Sequence, residues 1–128
     1  MAFYNGSCHC GTVRFQVDTT IASVLRCNCS ICRKKGMLHH RVEPDRLTIV
    51  SGGETLKEYR FGTGAAVHMF CGVCGIHPFS RPRAAPHLFT INVNTLDDYN
   101  MDEEKPATVD FDGRNWEQAV GTLRKAPD

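Results

Sequence analysis

The residues best suited to chemistry in this sequence are its seven cysteines, which fall into three close groups within 128 residues. The groups are Cys8 with Cys10, then Cys27, Cys29 and Cys32, and finally Cys71 with Cys74. In a reducing compartment, cysteines at such short spacing are typical of metal sites rather than disulfides. An odd number of thiols would also leave one unpaired in any disulfide framework. We therefore interpret all seven as candidate metal ligands.

Four of these cysteines match a closed structural zinc site. Structural zinc takes four ligands in a tetrahedron, usually as two close pairs from separate segments. Cys8 and Cys10 form one such pair, and Cys71 and Cys74 form another within the glycine-rich stretch CGVCG, where the backbone can curl around an ion. We predict that this zinc ties the first strand to a late one and stabilises a small domain. The alternative is that these are simply buried thiols.

The remaining trio of Cys27, Cys29 and Cys32 predicts a second zinc with one open position. Three protein ligands and one exchangeable position are the pattern of a catalytic zinc. Zinc bound by three thiolates carries a net charge of about −1, which neighbouring cations can offset before attracting an anion. These cations are Arg26, Arg33, Lys34 and Lys35.

Other interpretations of the trio stay open. A histidine could close it into a second structural site, and the basic run at 33–35 could be a solvated face. A disulfide among these thiols is a further alternative. The histidines considered as a fourth ligand are His39, His40 and His77. We interpret His9 and His68 as structural, because both lie in strand-like segments.

Short segments that alternate polar and apolar residues dominate the rest of the chain. They span residues 12–17, 45–50, 55–61, 66–71 and 87–93. A period of two with β-branched and aromatic residues, interrupted by glycine and proline, predicts antiparallel strands. One helical turn is expected over 94–101, capped by Asn94 or Thr95. We predict a mainly β fold with little helix and a loose tail at 124–128.

Length and charge restrict the class of protein. A chain of 128 residues predicts one domain spanning 1–128. With 15 Lys and Arg against 14 Asp and Glu, the chain has no field that favours nucleic acid. No apolar run approaches the roughly 18 residues of a membrane span, and the N-terminus lacks the features of an export signal. We expect a soluble cytoplasmic protein without nucleic-acid or membrane partners; its oligomeric state is left open.

The motifs GSCHCG, RCNCSICRKKG, FCGVCGIHPF and LFTINVNTLDD, in this order, resemble the glutathione-dependent formaldehyde-activating enzymes, a family that includes centromere protein V. The resemblance covers residues 6–98, with a weaker echo in FDGRNW. It implies a zinc-stapled β-tent fold, with the same division of the cysteines between two zinc ions. It also implies addition of the glutathione thiol to formaldehyde, giving S-hydroxymethylglutathione, which is a carbon–sulfur lyase reaction read backwards.

The resulting hypothesis is a carbon–sulfur lyase, similar to S-hydroxymethylglutathione synthase, that joins or cleaves an adduct of glutathione or a similar thiol with formaldehyde or another small carbonyl. Zinc surrounded by thiolates is a weak Lewis acid, but a thiol entering the fourth position loses its proton and stays nucleophilic. Cys27, Cys29 and Cys32 would be the catalytic zinc ligands.

Substrate contacts are expected from side chains next to the cysteines. Arg33, Lys34 or Lys35 would bind a substrate carboxylate, and His77 or the His39–His40 pair would move the proton, because histidine titrates near pH 7. We predict Arg33, Lys34 and His77 as the substrate-binding set.

Two non-enzymatic functions compete with this hypothesis. The first is a zinc module that binds a partner, as kinship to centromere protein V allows, although the near-zero net charge counts against a cytoskeletal or nucleic-acid role. The second is a thiol or zinc sensor in which the trio is oxidised and releases its metal.

Overall fold

The computed structural model describes residues 2–123, so the tail expected to be loose at 124–128 lies outside the described residues. The strands are β1 Ala2–Ser7, β2 Arg14–Thr19, β3 Ser23–Cys27, β4 Leu38–Val42, β5 Leu47–Ser51, β6 Leu56–Tyr59, β7 Val67–Cys71, β8 Phe79–Arg81, β9 Phe89–Asn92 and β10 Ala107–Phe111. The helices are α1 Ser30–Lys35, α2 Met101–Glu104 and α3 Trp116–Leu123. The predicted mainly β fold with little helix is confirmed.

The strands form two sheets. One has the order β1-β2-β5, and the other has the order β10-β3-β4-β9-β8-β7-β6. Neighbouring strands are antiparallel except β10, which runs parallel to β3 and places Phe111 opposite Cys27. The chain between β9 and β10 contains α2, and this longer connection lets β10 return in the parallel direction.

The apolar faces of the two sheets meet in one main core. Phe15 of β2 packs edge-on against Phe79 of β8, with ring centroids 5.4 Å apart. Both rings are almost fully buried, so this contact joins the small sheet to the large one. The other buried members of the core are Val17, Val24, Val42, Ile91, Val93 and Leu96.

All five predicted strand segments contain a strand, but the helical turn predicted over 94–101 is wrong in position. A 3-10 turn forms earlier, at Val93–Thr95, and α2 starts only after Asn100, whose side chain accepts hydrogen bonds at its N-terminus. Leu96 lies between them and forms a β-bridge with Gly6. This pairing keeps the middle of the predicted turn extended.

The folded chain brings distant cysteines together. The turn after β1 carries Cys8 and Cys10, and β7 ends at Cys71. The four-cysteine cluster, which also includes Cys74, therefore connects the two sheets. The second cluster lies where β3 runs into α1. None of the helices within residues 2–123 combines the length and apolar character needed to cross a membrane.

Gly52 packs against the turn that carries the first cysteine pair, and this packing generates a prediction. Its φ is +75°, and a Cβ there would overlap the Thr12 carbonyl and lie 2.9 Å from Val13 Cα. We expect Gly52→Ala to lower the free energy of unfolding by roughly 2–4 kcal/mol, from backbone strain plus overpacking. Urea unfolding followed by circular dichroism measures the loss.

Gly62→Ala is the matched control, because its φ is +60° but no atom lies within 4 Å of the added Cβ. It should cost only about 1 kcal/mol, from strain alone. Equal losses in the two variants would contradict the proposed packing of Gly52 on the cysteine turn.

Candidate active site

The four cysteines predicted to form a closed site meet in the structure. The sulfurs of Cys8, Cys10, Cys71 and Cys74 all lie within 4.8 Å of one another, and all four side chains are free thiols. Cys8 Sγ is 3.6 Å from Cys10 Sγ, and Cys10 Sγ is 3.8 Å from Cys71 Sγ. Tetrahedral zinc at about 2.3 Å from each sulfur would place the sulfurs about 3.8 Å apart. The donor set and its spacing therefore fit zinc.

Backbone amides point at the sulfurs of this closed cluster. The Val13 amide donates to Cys8 Sγ at 3.3 Å, and the Val73 and Cys74 amides donate to Cys71 Sγ at 3.3 and 3.5 Å. Such hydrogen bonds favour the thiolate and fix its direction. Cys8 and Cys71 are buried, so a metal held here would be largely shielded from solvent on this side.

The trio of Cys27, Cys29 and Cys32 is equally compact. Cys27 ends β3, Cys29 caps α1 and Cys32 lies within that helix, so one sharp corner of the chain collects three sulfurs within 4.8 Å of one another. Hydrogen bonds from Cys27 and Cys32 lower the pKa of the Cys29 thiol, whereas hydrogen bonding to Cys27 raises the pKa of Cys32. Three sulfurs this close together favour binding of a soft, thiophilic cation.

No histidine in the described part of the chain supplies a fourth metal ligand to the trio. Among residues 2–123, no further cysteine, histidine or carboxylate places a ligand atom within the distance that joins the three sulfurs. His40 Nε2 is hydrogen-bonded instead to Thr19 Oγ1 at 2.7 Å. The cluster thus has three protein ligands, and the alternative of a closed site with His39, His40 or His77 is not formed.

Residues 111–114, in the C-terminal part of the chain, pack and form hydrogen bonds against the segment that carries the trio. The Asn28 amide donates to the Phe111 carbonyl at 3.2 Å, and the Arg114 amide donates to Asn28 Oδ1 at 3.1 Å. Between these contacts, a Cβ on Gly113 would lie 2.5 Å from Cys27 Sγ. Gly113 therefore lets the backbone approach the cysteines closely, which explains the glycine in the FDGRNW motif.

The trio opens onto a cavity of about 990 Å³. Six cations line it, and no Asp or Glu is among its described lining residues. Arg83 lies over the Trp116 ring at 3.6 Å and also pairs with Glu117 at 2.8 Å, and these two contacts orient its guanidinium. The lining cations are Arg33, Lys34, Arg41, Arg81, Arg83 and Arg114. This lining favours an anionic ligand.

A family model described as glutathione-dependent formaldehyde-activating enzyme matches residues 3–114. The chain belongs to this family. The crystal structure of a Rhodobacter sphaeroides protein is also similar, with a TM-score of 0.75 and 34% identity over 82% of this chain and 98% of that one. The family match includes residues 111–114, which belong to the FDGRNW motif and bond to the backbone and side chain of Asn28 in the trio segment.

This member of the glutathione-dependent formaldehyde-activating family does not place every predicted substrate residue in one cavity. Arg33 and Lys34 line the main cavity with the trio, whereas His77 lines a smaller adjoining cavity of about 450 Å³ together with Lys34 and Lys35. Desolvation by burial, followed by the charge of Lys35, lowers the pKa of His77 to about 4. His77 is therefore neutral at pH 7, whereas from the sequence we expected it to titrate near that pH.

Two further histidines, His39 and His68, also differ from expectation. His39 lines the main cavity, but burial and then the charge of Lys35 lower its pKa to about 4. His68, which we expected to be structural, lines the main cavity as well. Sequence reasoning missed it because strand alternation marks a residue as inward-facing without revealing that the inner side is a cavity.

The division of the cysteines predicts different consequences for two isosteric substitutions. Cys71→Ser should remove the staple between the sheets and abolish cooperative unfolding, because metal-binding free energy is also folding free energy. Cys32→Ser should lose one metal ion per chain but lower Tm by less than about 5 °C. Elemental analysis and thermal denaturation measure both effects. Similar unfolding of the two variants, or unchanged metal content, would contradict the division.

Close packing of Gly113 on the trio gives a second prediction. Gly113→Ala should displace Cys27 and reduce the metal content from about two ions per chain to about one, with the closed cluster intact. Gly121→Ala in α3 is the matched control, because no atom lies within 4 Å of its added Cβ. Elemental analysis of purified variants decides. A Gly113→Ala protein with full metal content would show that the contact does not constrain the trio.

Proposed function

We propose that this chain is a zinc-dependent carbon–sulfur lyase-type enzyme that joins or cleaves an adduct of a thiol, such as glutathione, with formaldehyde or another small carbonyl. The observation that carries the proposal is a trio of cysteines, without a fourth described ligand, at the wall of a cation-lined cavity. In this proposal the single domain, 1–128, holds one structural and one catalytic zinc. Its free thiols suit the reducing cytoplasm.

The two clusters would have different tasks. Cys8, Cys10, Cys71 and Cys74 would hold an ion that stabilises the fold. Zinc held by Cys27, Cys29 and Cys32 would supply an open coordination position at which a substrate thiol loses its proton more readily. The thiol sulfur must therefore reach the trio through the main cavity.

Cationic side chains of the cavity would bind the carboxylates of the thiol. Arg33 and Lys34 follow the last cysteine directly on α1, so a carboxylate near the sulfur meets them first. Arg114 is held by a hydrogen bond from its Nε to the Asn28 carbonyl at 3.2 Å, and Arg81 lies over the Phe89 ring at 4.1 Å. These supports pre-orient the guanidinium groups, which reduces the entropy lost on binding.

The carbonyl substrate would react beside the sulfur. In the joining direction, the sulfur forms a bond to the carbonyl carbon, the carbon–oxygen π bond opens, and the oxygen gains one proton while the thiol loses one. Cleavage reverses each change. Neither direction oxidises or reduces the substrates, so no redox cofactor is required. A concave cavity lined by the trio favours a small thiol over a flat protein partner.

Turnover of the adduct tests the proposal directly. With ¹³C-formaldehyde and glutathione, magnetisation-exchange NMR should show faster interconversion of S-hydroxymethylglutathione and its components with the wild type than in buffer. Cys32→Ser should lose at least about 100-fold of this acceleration, because the site that activates the thiol is incomplete. A wild-type rate equal to that of buffer, for formaldehyde and for larger aldehydes, would exclude the proposed activity.

Carboxylate binding is tested by the same assay. Arg33→Gln combined with Lys34→Gln should raise KM for glutathione about tenfold or more, since a charge-assisted hydrogen bond contributes about 1.5–3 kcal/mol. Cysteamine, a thiol without a carboxylate, is the control substrate and should show no change in KM. An equal effect on both thiols would assign the cations a different role.

A further inference from the structure

His68 has an arrangement that the proposed function does not yet use. It lies on β7, only 6% exposed, and lines the cavity that contains the trio. Its Nδ1 is 3.0 Å from Lys35 Nζ. The ring also stacks on Phe61, with centroids 5.7 Å apart and an interplanar angle of 23°. One hydrogen bond and one ring contact therefore fix the orientation of the imidazole.

The hydrogen bond to Lys35 determines which nitrogen of His68 carries the proton. We assign the tautomer from this bond: with Lys35 as an ammonium, which donates hydrogen bonds and cannot accept them, Nδ1 is the acceptor and the ring proton is on Nε2. Lys35 lines the smaller cavity and His68 lines the main one, so the pair connects the two. Nε2–H is the donor that His68 can offer to a ligand in the main cavity.

The charge state of His68 is consistent with this tautomer. Desolvation by burial and then the positive charge of Lys35 lower the pKa of His68 to about 4, so the ring is neutral at pH 7. The Cys29 sulfur acts in the opposite direction and raises this pKa. Cys29 and His68 both line the main cavity.

We propose that His68 is a catalytic residue that donates its Nε2 proton to the carbonyl oxygen as the thiol sulfur adds to the carbonyl carbon, and that Lys35 is its positioning residue. The inference rests on the proposed function and names the proton donor of that reaction. As Nε2 loses its proton to the oxygen, Nδ1 takes a proton from the Lys35 ammonium, so the ring stays neutral. Nδ1 then returns its proton to Lys35 as Nε2 takes up a proton from solvent, which receives the one lost by the thiol, so both residues are regenerated.

The other histidines near the site lack this combination. His40 is hydrogen-bonded to Thr19 and does not line the main cavity. His77 lines the smaller cavity. His39 lines the main cavity, but its buried Nε2 has no hydrogen-bond partner among the described residues, so no cation is bonded there to replace a donated proton. His68 alone of these four joins the main cavity to a bonded ammonium group in the described chain.

Measuring kcat and KM for adduct turnover distinguishes a role of His68 in proton donation from a role in substrate binding. His68→Leu should lower kcat by about 10²- to 10⁴-fold and change KM for glutathione less than about threefold, because general-acid catalysis acts on the transition state. His68→Gln keeps a donor near Nε2 but cannot relay a proton, so its kcat should lie between those of His68→Leu and the wild type. His87→Gln, at an exposed position, is the matched control and should retain the wild-type kcat. All variants should hold the wild-type amount of metal.

Histidine NMR supplies a readout that does not depend on turnover. With ¹⁵N-labelled histidine, the zinc-loaded wild type should show the neutral Nε2–H tautomer for His68 at pH 7. Lys35→Met should shift the ring toward a mixture of tautomers and lower kcat, whereas Lys35→Arg should restore both in part. A merely structural lysine would leave the tautomer unchanged.

The outcomes distinguish this proposal from the broader one. If the wild type turns over the adduct and His68→Leu keeps its kcat, or if His68 carries its proton on Nδ1, then the role of His68 is overturned and the proposed function stands. If the wild type has no activity with any aldehyde, the proposed function is overturned and the role of His68 falls with it. The predicted kcat loss together with the Nε2–H tautomer supports both.

Discussion

The mutual repulsion and crowding of three sulfurs at one corner of the chain is the constraint on which the site depends. Cys27, Cys29 and Cys32 lie so close that a single thiolate already perturbs its neighbours, and their full ionisation requires a cation among them. The surroundings are arranged accordingly. Asn28 bonds the 111–114 segment, Gly113 allows that backbone to touch the cysteines, and cations from several strands line the cavity beyond. This corner has no fourth ligand from the described chain, and its three cysteines line the cavity.

The four-cysteine cluster and the main core together join the two sheets into a rigid frame for the three-cysteine site. Cys8 follows the first strand of the small sheet and Cys71 ends a strand of the large sheet, so a bound ion would join the sheets at one end while Phe15 and Phe79 join them in the core. Within this rigid frame, β7, β8 and β9 present His68, Ser80 and Thr90 to the cavity at directly paired positions. A side chain on a paired strand has little freedom to move, which suits groups that must meet a small carbonyl accurately.

The features of the fold and the site that could be predicted from the sequence are those that neighbouring residues along the chain determine. Alternation identified five of the strands, and cysteine spacing identified both clusters, because a few neighbouring positions along the chain determine each. The strands identified are β2, β5, β6, β7 and β9. The other described strands were missed. β1 reads AFYNGS, with polar and glycine residues, and β10 depends on pairing with a strand about 80 residues earlier. The remaining missed strands are β3, β4 and β8. Arg81, Arg114 and His68 were not assigned to the cavity, because only the three-dimensional arrangement of β7, β8 and the turn after β10 brings them there.

Cobalt substitution followed by titration with glutathione tests the unequal division of sulfur most directly, because thiolate-to-cobalt absorption reports each tetrahedral site. The structure predicts two ions per chain, with glutathione changing the absorption of one ion and leaving the other unchanged, and a Cys32→Ser protein should retain only the unresponsive ion. A spectrum that does not respond to glutathione, or two ions that respond alike, would contradict the presence of one closed and one open site.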